Sequence, residues 1–263
     1  MKLTSSPYCK TYSIFCILLL TIGSLTSAHA AQNDSLTYDK NIVKFNAMGL
    51  VLRNFSFQYE RVLTRRISAN IGFRFMPKGS FPMLSSFKSL IDDDETYEDL
   101  KNLKLSNTAI TPEIRFYFGK KNGPLGFYIA PYVRFASYKI DYPNFEYEAY
   151  TEDGEYIGEK SIPLNGKANT TTAGFSIGSQ WQISKWIYLD WTILGPSYGG
   201  INGTLTGKAA LSEQEQEELR EALEDIEIPL AETTTTVDAN GAKLKIKGPW
   251  AGIRTSLAIG IKF

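Results

Sequence analysis

The chain has 263 residues, with 28 basic and 28 acidic side chains and a formal net charge of zero. This balance gives no electrostatic reason to bind nucleic acid. Both cysteines, Cys9 and Cys16, and the single histidine, His29, fall within the first 30 residues. Without that segment, the chain lacks the side chains for thiolate or imidazole metal sites, for disulfides and for serine–histidine catalysis. We therefore predict no metal site and no cofactor.

Residues 1–30 have the pattern of a secretory signal peptide. Lys2 and Lys10 precede a short apolar run over 14–22, and Ala28-His29-Ala30 has the form of a cleavage site. The run is shorter than the roughly 20 residues that a membrane-spanning helix needs. We expect residues 31–40 to be a periplasmic N-terminal segment and residues 41–263 to form the folded domain.

From residue 41 onward, apolar and polar residues alternate with a period of two, which is typical of strands with two unlike faces. In the last segment, Ile253, Ile259 and Phe263 share one face, while Arg254 and Lys262 lie on the other. Most of these segments are close to the 9–11 residues that a tilted strand needs to cross a bilayer. The eight predicted strands are 41–51, 55–62, 67–76, 107–118, 125–138, 170–183, 186–194 and 250–263.

The connectors between these strands alternate in length. Short turns are predicted at 63–66, 119–124 and 184–185, and long loops at 77–106, 139–169 and 195–249. In an antiparallel meander, alternate connectors lie at the same end, so the long loops share one side and the short turns and both termini share the other. This asymmetry predicts an all-β fold, an eight-stranded antiparallel up-and-down transmembrane barrel with long extracellular loops.

Periodicity alone leaves open which face points inward, and a soluble lipocalin-like barrel would bury the apolar face. Three features favour the membrane arrangement. Small residues such as Gly72 and Gly174 are mixed with charges on the polar face, as a narrow lumen requires. Aromatic residues lie near several strand ends. The last strand ends on the aromatic residue Phe263, and this ending resembles the C-terminal signal that the barrel assembly machinery recognises. We expect a monomer in the outer membrane of a Gram-negative bacterium, with outer-membrane lipid and the assembly machinery as partners.

The polar face carries charges of both signs, which must pair because an isolated buried charge is costly. Since side chains fill an eight-stranded barrel, we predict a salt-bridged lumen network that plugs the barrel. The alternatives are an ion or small-solute channel, or a histidine-free lipid-modifying enzyme, although we expect no catalysis. The predicted network residues are Lys44, Glu60, Arg74, Glu113, Arg115, Arg134, Asp190 and Arg254.

Two prolines, Pro112 and Pro131, lie in the middle of predicted strands. A closed barrel has no edge at which a missing amide donor can be tolerated, so we predict a bulge or kink there.

The long loops carry their own signals. Phe145 to Ile157 alternates around Asp153-Gly154, which predicts a hairpin. Ser212 and Glu215 form a capping-box pattern that predicts a helix over about 213–225. That helix could serve as a lid on the barrel mouth or bind an extracellular protein or glycan. The acidic run 91–95 is predicted to be a solvated loop, with a weak divalent site as the alternative. We also expect Gly195-Pro196 and Gly248-Pro249 to mark the exit and return of the last loop.

Several stretches together resemble a family of Bacteroidota outer-membrane proteins with a DUF3575-type domain. The resemblance implies an outer-membrane barrel over most of residues 40–263, and it supplies no activity, substrate or catalytic residue. The stretches are Asn41-Ile-Val-Lys-Phe-Asn46, Phe57-Gln-Tyr-Glu-Arg61, Phe75-Met-Pro-Lys-Gly-Ser80, Ile110 to Phe118, Leu194-Gly-Pro-Ser-Tyr198 and Gly248-Pro-Trp-Ala-Gly252.

Overall fold

One antiparallel sheet closes on itself into a ring in the computed structural model of the chain. All described residues belong to one unit, Asp39–Phe263. The predicted signal peptide and residues 31–39 lie outside the described residues, as do positions 91–93 of the acidic run. The structure describes residues 40–80, 84–85, 88, 94–119, 123–151, 153, 155–226 and 231–263.

The strands follow one another around the ring in chain order, as expected for an up-and-down barrel. They are β1 (Asn41–Asn46), β2 (Phe55–Val62), β3 (Ile67–Ser80), β4 (Lys104–Tyr117), β5 (Gly126–Tyr150), β6 (Tyr156–Gln182), β7 (Ile187–Lys208), β8 (Glu232–Asp238) and β9 (Gly241–Lys262). The helices are a 3-10 helix (Met48–Leu52), α1 (Asp94–Asn102) and α2 (Glu213–Glu224).

The predicted eight-stranded barrel is confirmed. The ring closes where β1 pairs with β9, with Lys44 opposite Gly260 and Phe45 opposite Ile259. The ninth strand, β8, lies outside the ring, because it forms a hairpin with the far end of β9 around Asp238 and Gly241. That hairpin was not predicted from the sequence.

Four strands extend well beyond the predicted bounds. β5 has 25 residues and β6 has 27, and their hairpin turns around Asp153, as predicted. The predicted loops 139–169 and 195–249 are therefore largely strand. Placing loop ends at Gly195-Pro196 and Gly248-Pro249 was wrong, since these pairs lie inside β7 and β9.

The first strand is shorter than predicted. The prediction of 41–51 was wrong, because β1 ends at Asn46 and the chain turns into the 3-10 helix. Two local features mark the turn. A Cβ on Gly49 would lie 2.5 Å from the Asn54 carbonyl oxygen, and Arg53 has a left-handed φ of 53°.

No bulge forms at the two prolines, so that part of the prediction is wrong, while the alternative of a local kink stays a prediction. β4 and β5 keep one register past Pro112 and Pro131, and residues 111–112 and 114–115 are simply unpaired on the β5 side. Because these residues form no pairs with β5, the missing N–H groups of the two prolines are tolerated without an extra residue in either strand. A register shift does occur elsewhere in the barrel half, in β7 between Thr192 and Gly195, where it pairs with β9.

The polarity of the two strand faces reverses along the barrel axis. We define the barrel half as residues 41–76, 107–137, 170–198 and 251–262, and the loop half as 138–169 and 199–250. On β9 in the barrel half, Ile253 and Ile259 point outward and are 77% and 52% exposed, while Ala258 points inward and is buried. In the loop half of the same strand, Leu244 is buried inside and Lys245 is exposed outside.

The loop half is built like a water-soluble domain, with its apolar core on the concave side of the extended sheet. The predicted helix is confirmed as α2, which begins at a capping box between Ser212 and Glu215. Its residues Leu219 and Leu223 are fully buried against side chains of β5, β6, β8 and β9. Among the described helices, none is long and apolar enough to cross a membrane.

Candidate functional site

A cluster of charged side chains fills the barrel half near its turn end. Its centre is formed by Lys44 from β1, Glu60 from β2, Arg115 from β4 and Asp190 from β7, each at most 1% exposed. Strand alternation places these residues on the inner face, and the barrel register brings four separate strands to one point.

Asp190 joins the two central cations. Its Oδ2 atom lies 2.6 Å from Lys44 Nζ and 2.5 Å from Arg115 Nη1. Glu60 is the second partner of Lys44, and its carboxylate lies 3.6 Å from Arg115 Nη1. The Arg115 Nε atom donates to Glu113 at 2.5 Å. Every charge in this cluster therefore faces at least one opposite charge, which is what a buried ionic group requires.

Neutral polar side chains bind the remaining acceptor positions of the carboxylates. Tyr117 donates to Glu60 at 2.7 Å, and Tyr128 donates to Asp190 at 2.9 Å. The Arg115 guanidinium also lies 4.5 Å from the centroid of the Tyr128 ring. Gln180 accepts from Lys44 and donates to the Pro124 carbonyl at 2.8 Å, which ties the cluster to a short turn. These bonds hold the central side chains in one arrangement.

A glycine makes room for this packing. A Cβ on Gly178 would lie 2.5 Å from the Tyr128 hydroxyl oxygen and 2.5 Å from the Trp191 carbonyl oxygen. The Tyr128 side chain reaches across β6 to Asp190 on β7 because β6 has no side chain at this position.

The other three predicted network residues lie closer to the loop end. Arg254 Nη1 donates to Glu113 at 2.7 Å, and its guanidinium lies 4.9 Å from the Tyr132 ring centroid. Arg74 Nη2 donates to Asn107 at 2.5 Å. Among the described residues, no carboxylate lies within ion-pair distance of Arg74 or Arg134. The structure thus gathers six of the eight predicted residues into one ion-pair network and leaves these two arginines outside it.

Two adjoining cavities lie on the loop side of the ion-pair network. One has a volume of about 230 Å³ and reaches the 3-10 helix, and the other is about 80 Å³ and reaches Trp250. Arg74, Arg134 and Arg254 line both cavities.

The net charge differs between the ion-pair network and the side chains that line the cavities. Lys44, Arg115 and Arg254 balance Glu60, Glu113 and Asp190, so the ion-pair network is neutral. Arg74 and Arg134 add two positive charges beside the cavities. Among the described residues, no group of three or more carboxylate, cysteine or histidine side chains could hold a metal ion.

Sequence reasoning missed several polar partners in the lumen. Ser68 and Asn70 on β3 contact Glu60 and Glu113, and Tyr117 contacts Glu60. The alternation rule could have found them, because Ser68 and Asn70 share strand parity with Arg74, and Tyr117 shares it with Arg115.

Phe263, the predicted assembly signal, lies outside the lumen. It is 59% exposed, and its amide donates to the Asn41 carbonyl where β1 and β9 meet. Its role in assembly stays a prediction.

Comparison with known proteins identifies a family and no activity. The family described as "Protein of unknown function (DUF3575)" matches residues 14–199, more than two thirds of the chain. The match starts within the predicted leader and ends in β7, so Gly248-Pro-Trp-Ala-Gly252 lies outside it. A search of curated proteins found no match.

Proposed function

The chain belongs to the DUF3575 family, and from this premise and its β-barrel fold we propose that it is an outer-membrane barrel whose lumen is plugged. In this proposal the barrel half is embedded in lipid, and the loop half is an extracellular surface domain. The protein has a structural or surface-interaction role in the envelope of a Gram-negative bacterium, and it catalyses no reaction.

The reversal of face polarity carries this proposal. In the barrel half, outward side chains such as Phe73 and Phe175 are apolar and 46% and 57% exposed. In the loop half, most outward side chains are charged or polar, with Ile157 and Pro163 as exceptions, and an apolar core lies on the inner side. A water-soluble barrel would bury apolar side chains along its whole length. The observed change is the one expected where strands leave hydrocarbon and enter water.

A row of lysines supports a lipid boundary at this level. Lys139 on β5 lies directly opposite Lys167 on β6, and both side chains are exposed on the outer face. Lys167 lies opposite Thr204, which in turn lies opposite Lys245 on β9. Like charges on neighbouring strands destabilise a sheet in water. Anionic lipid headgroups next to the apolar surface would offset this repulsion.

The neutral network disfavours a channel. Arg115, Lys44 and Glu60 are fully buried and bind one another across the lumen, so an ion would have to separate them in order to pass. Breaking buried pairs of this kind costs several kcal/mol. We therefore propose that the barrel does not conduct.

The helix α2 presents an acidic surface to the outside. The apolar side of α2 is buried, while Glu213, Glu217, Glu221 and Glu224 are exposed. We propose that α2 caps the barrel and that its acidic side faces any extracellular partner.

Membrane fractionation combined with heat-modifiable gel migration tests the proposed location. The full chain, expressed in a Gram-negative host, is expected in the outer-membrane fraction, with faster migration before boiling than after it. Recovery of the folded protein in the detergent-free soluble fraction would contradict the proposal.

Planar bilayer recordings test the plug. The purified barrel is expected to give no steady conductance. Stable open pores in the wild-type protein would instead establish the channel.

A further inference from the structure

We propose that the arginine-lined cavities above the lumen network bind a small, multiply charged oxyanion, of the phosphate or short dicarboxylate type. This inference goes beyond the proposed structural role. It concerns the three guanidinium groups of Arg74, Arg134 and Arg254, which project from β3, β5 and β9 into the same space.

Two of these guanidinium groups have unused hydrogen-bonding capacity. The Arg74 Nε and Arg134 Nη2 atoms are buried and make no hydrogen bond to the described residues. Buried polar atoms in folded proteins almost always have a partner. These two donors therefore point to a partner in the cavity beyond the described residues, such as water or a ligand.

Charge favours an anion over water alone. The ion-pair network below is neutral, and Arg254 already shares Glu113 with Arg115. Arg74 and Arg134 add two positive charges in a partly desolvated space with no carboxylate among the described residues to balance them. Burying such charges without a counter-charge is costly. A dianion held by all three groups would remove that cost.

The shape and the remaining lining fit the same ligand class. Guanidinium groups bind phosphate and carboxylate oxygens with paired donors in a planar fork. The larger cavity, about 230 Å³, exceeds the volume of roughly 10–15 Å³ that holds one water. Thr172 lines the smaller cavity and Ser256 lines the larger one, and both have buried hydroxyl groups with no described partner. These hydroxyl groups are further donors for an oxyanion.

Isothermal titration calorimetry of the full chain, folded in detergent micelles at low ionic strength, tests the inference. Separate titrations use inorganic phosphate, succinate and sodium chloride. We expect saturable binding of phosphate or succinate at one site per barrel and no saturation with chloride. The stronger of the two ligands distinguishes phosphoryl from carboxylate chemistry.

The decisive variant is Arg134→Gln, because Arg134 forms no ion pair in the described structure. We expect this variant to weaken binding by at least about tenfold, since hydrogen bonds to charged groups contribute strongly. The matched control is Arg220→Gln, which removes a half-buried arginine of α2, remote from the cavities, and should leave the affinity unchanged. If Arg134→Gln does not fold, Arg74→Gln and Arg134→Lys replace it.

Two results would overturn the inference: no saturable binding of either oxyanion by the wild-type protein, or equal affinity in the Arg134→Gln and Arg220→Gln proteins. The test does not depend on where the protein resides in the cell. Its failure can therefore be distinguished from a failure of the proposed function.

Discussion

Neutralising Asp190 tests whether the lumen network holds the barrel together. The carboxylate is 1% exposed and is shared by Lys44 and Arg115, which are both fully buried. In Asp190→Asn, Lys44, Arg115 and the partly buried Arg254 would face only Glu60 and Glu113. Removing one partner of a buried ion pair costs about 3–5 kcal/mol. Because asparagine keeps one acceptor oxygen for Tyr128, we expect a loss near the lower end of this range.

Urea unfolding in lipid vesicles, followed by tryptophan fluorescence and by gel migration, measures this change. The matched control is Glu217→Gln, which neutralises an exposed carboxylate paired with Arg220 on α2. An exposed pair of this kind contributes about 0–1 kcal/mol. The two variants remove the same charge, so the difference between them isolates the effect of burial.

A double variant separates the destabilisation caused by charge imbalance from that caused by the loss of side-chain packing. Combining Lys44→Met with Asp190→Asn leaves Arg115 and Arg254 opposite Glu60 and Glu113. We expect this double variant to be less destabilised than the sum of the two single variants, because residues in one network couple by roughly 0.5–3 kcal/mol. An Asp190→Asn protein as stable as Glu217→Gln, together with additive single variants, would refute the structural role of the network.

Three further predictions address the other parts of the molecule. Replacing Phe73 by Arg on the outer face should destabilise the barrel in bilayers by about 2–4 kcal/mol, measured by urea unfolding in vesicles; no change would contradict a lipid-facing position. Leu223→Ala should cost about 2–5 kcal/mol in the core of the loop half, which would be seen as faster proteolysis of that half. Heat-modifiable migration, which reports the barrel, should stay intact. Unchanged proteolysis in a variant with intact migration would contradict the packing of α2. Hydrogen bonds from Lys160 and Ser212 lower the pKa of Glu215 from 4.5 to about 2. Its stabilisation of α2 is therefore full above pH 4.5 and is lost as the pH falls toward 2. Circular dichroism between pH 5 and pH 2 should show helix loss that is smaller in Glu215→Gln, and an equal loss in both proteins would argue against this contact.

The amino-acid sequence by itself determined the features that depend on local pattern. Alternation of period two identified the eight ring strands, since it reflects the two faces of a strand directly. The capping box at Ser212 and Glu215 located α2, because its hydrogen bonds span three residues. All eight predicted network residues came from the same alternation.

Only the tertiary structure decided which of these residues pair. Lys44 and Asp190 are 146 positions apart, and they meet because the barrel closes in one particular register. The hairpin of β8 with β9 and the bulge in β7 likewise depend on neighbouring strands. The separation of a neutral network from the two arginines beside the cavities follows from the same geometry. Strand alternation assigns a side chain to a face, whereas its partner and height in the lumen are set by the register of the closed sheet.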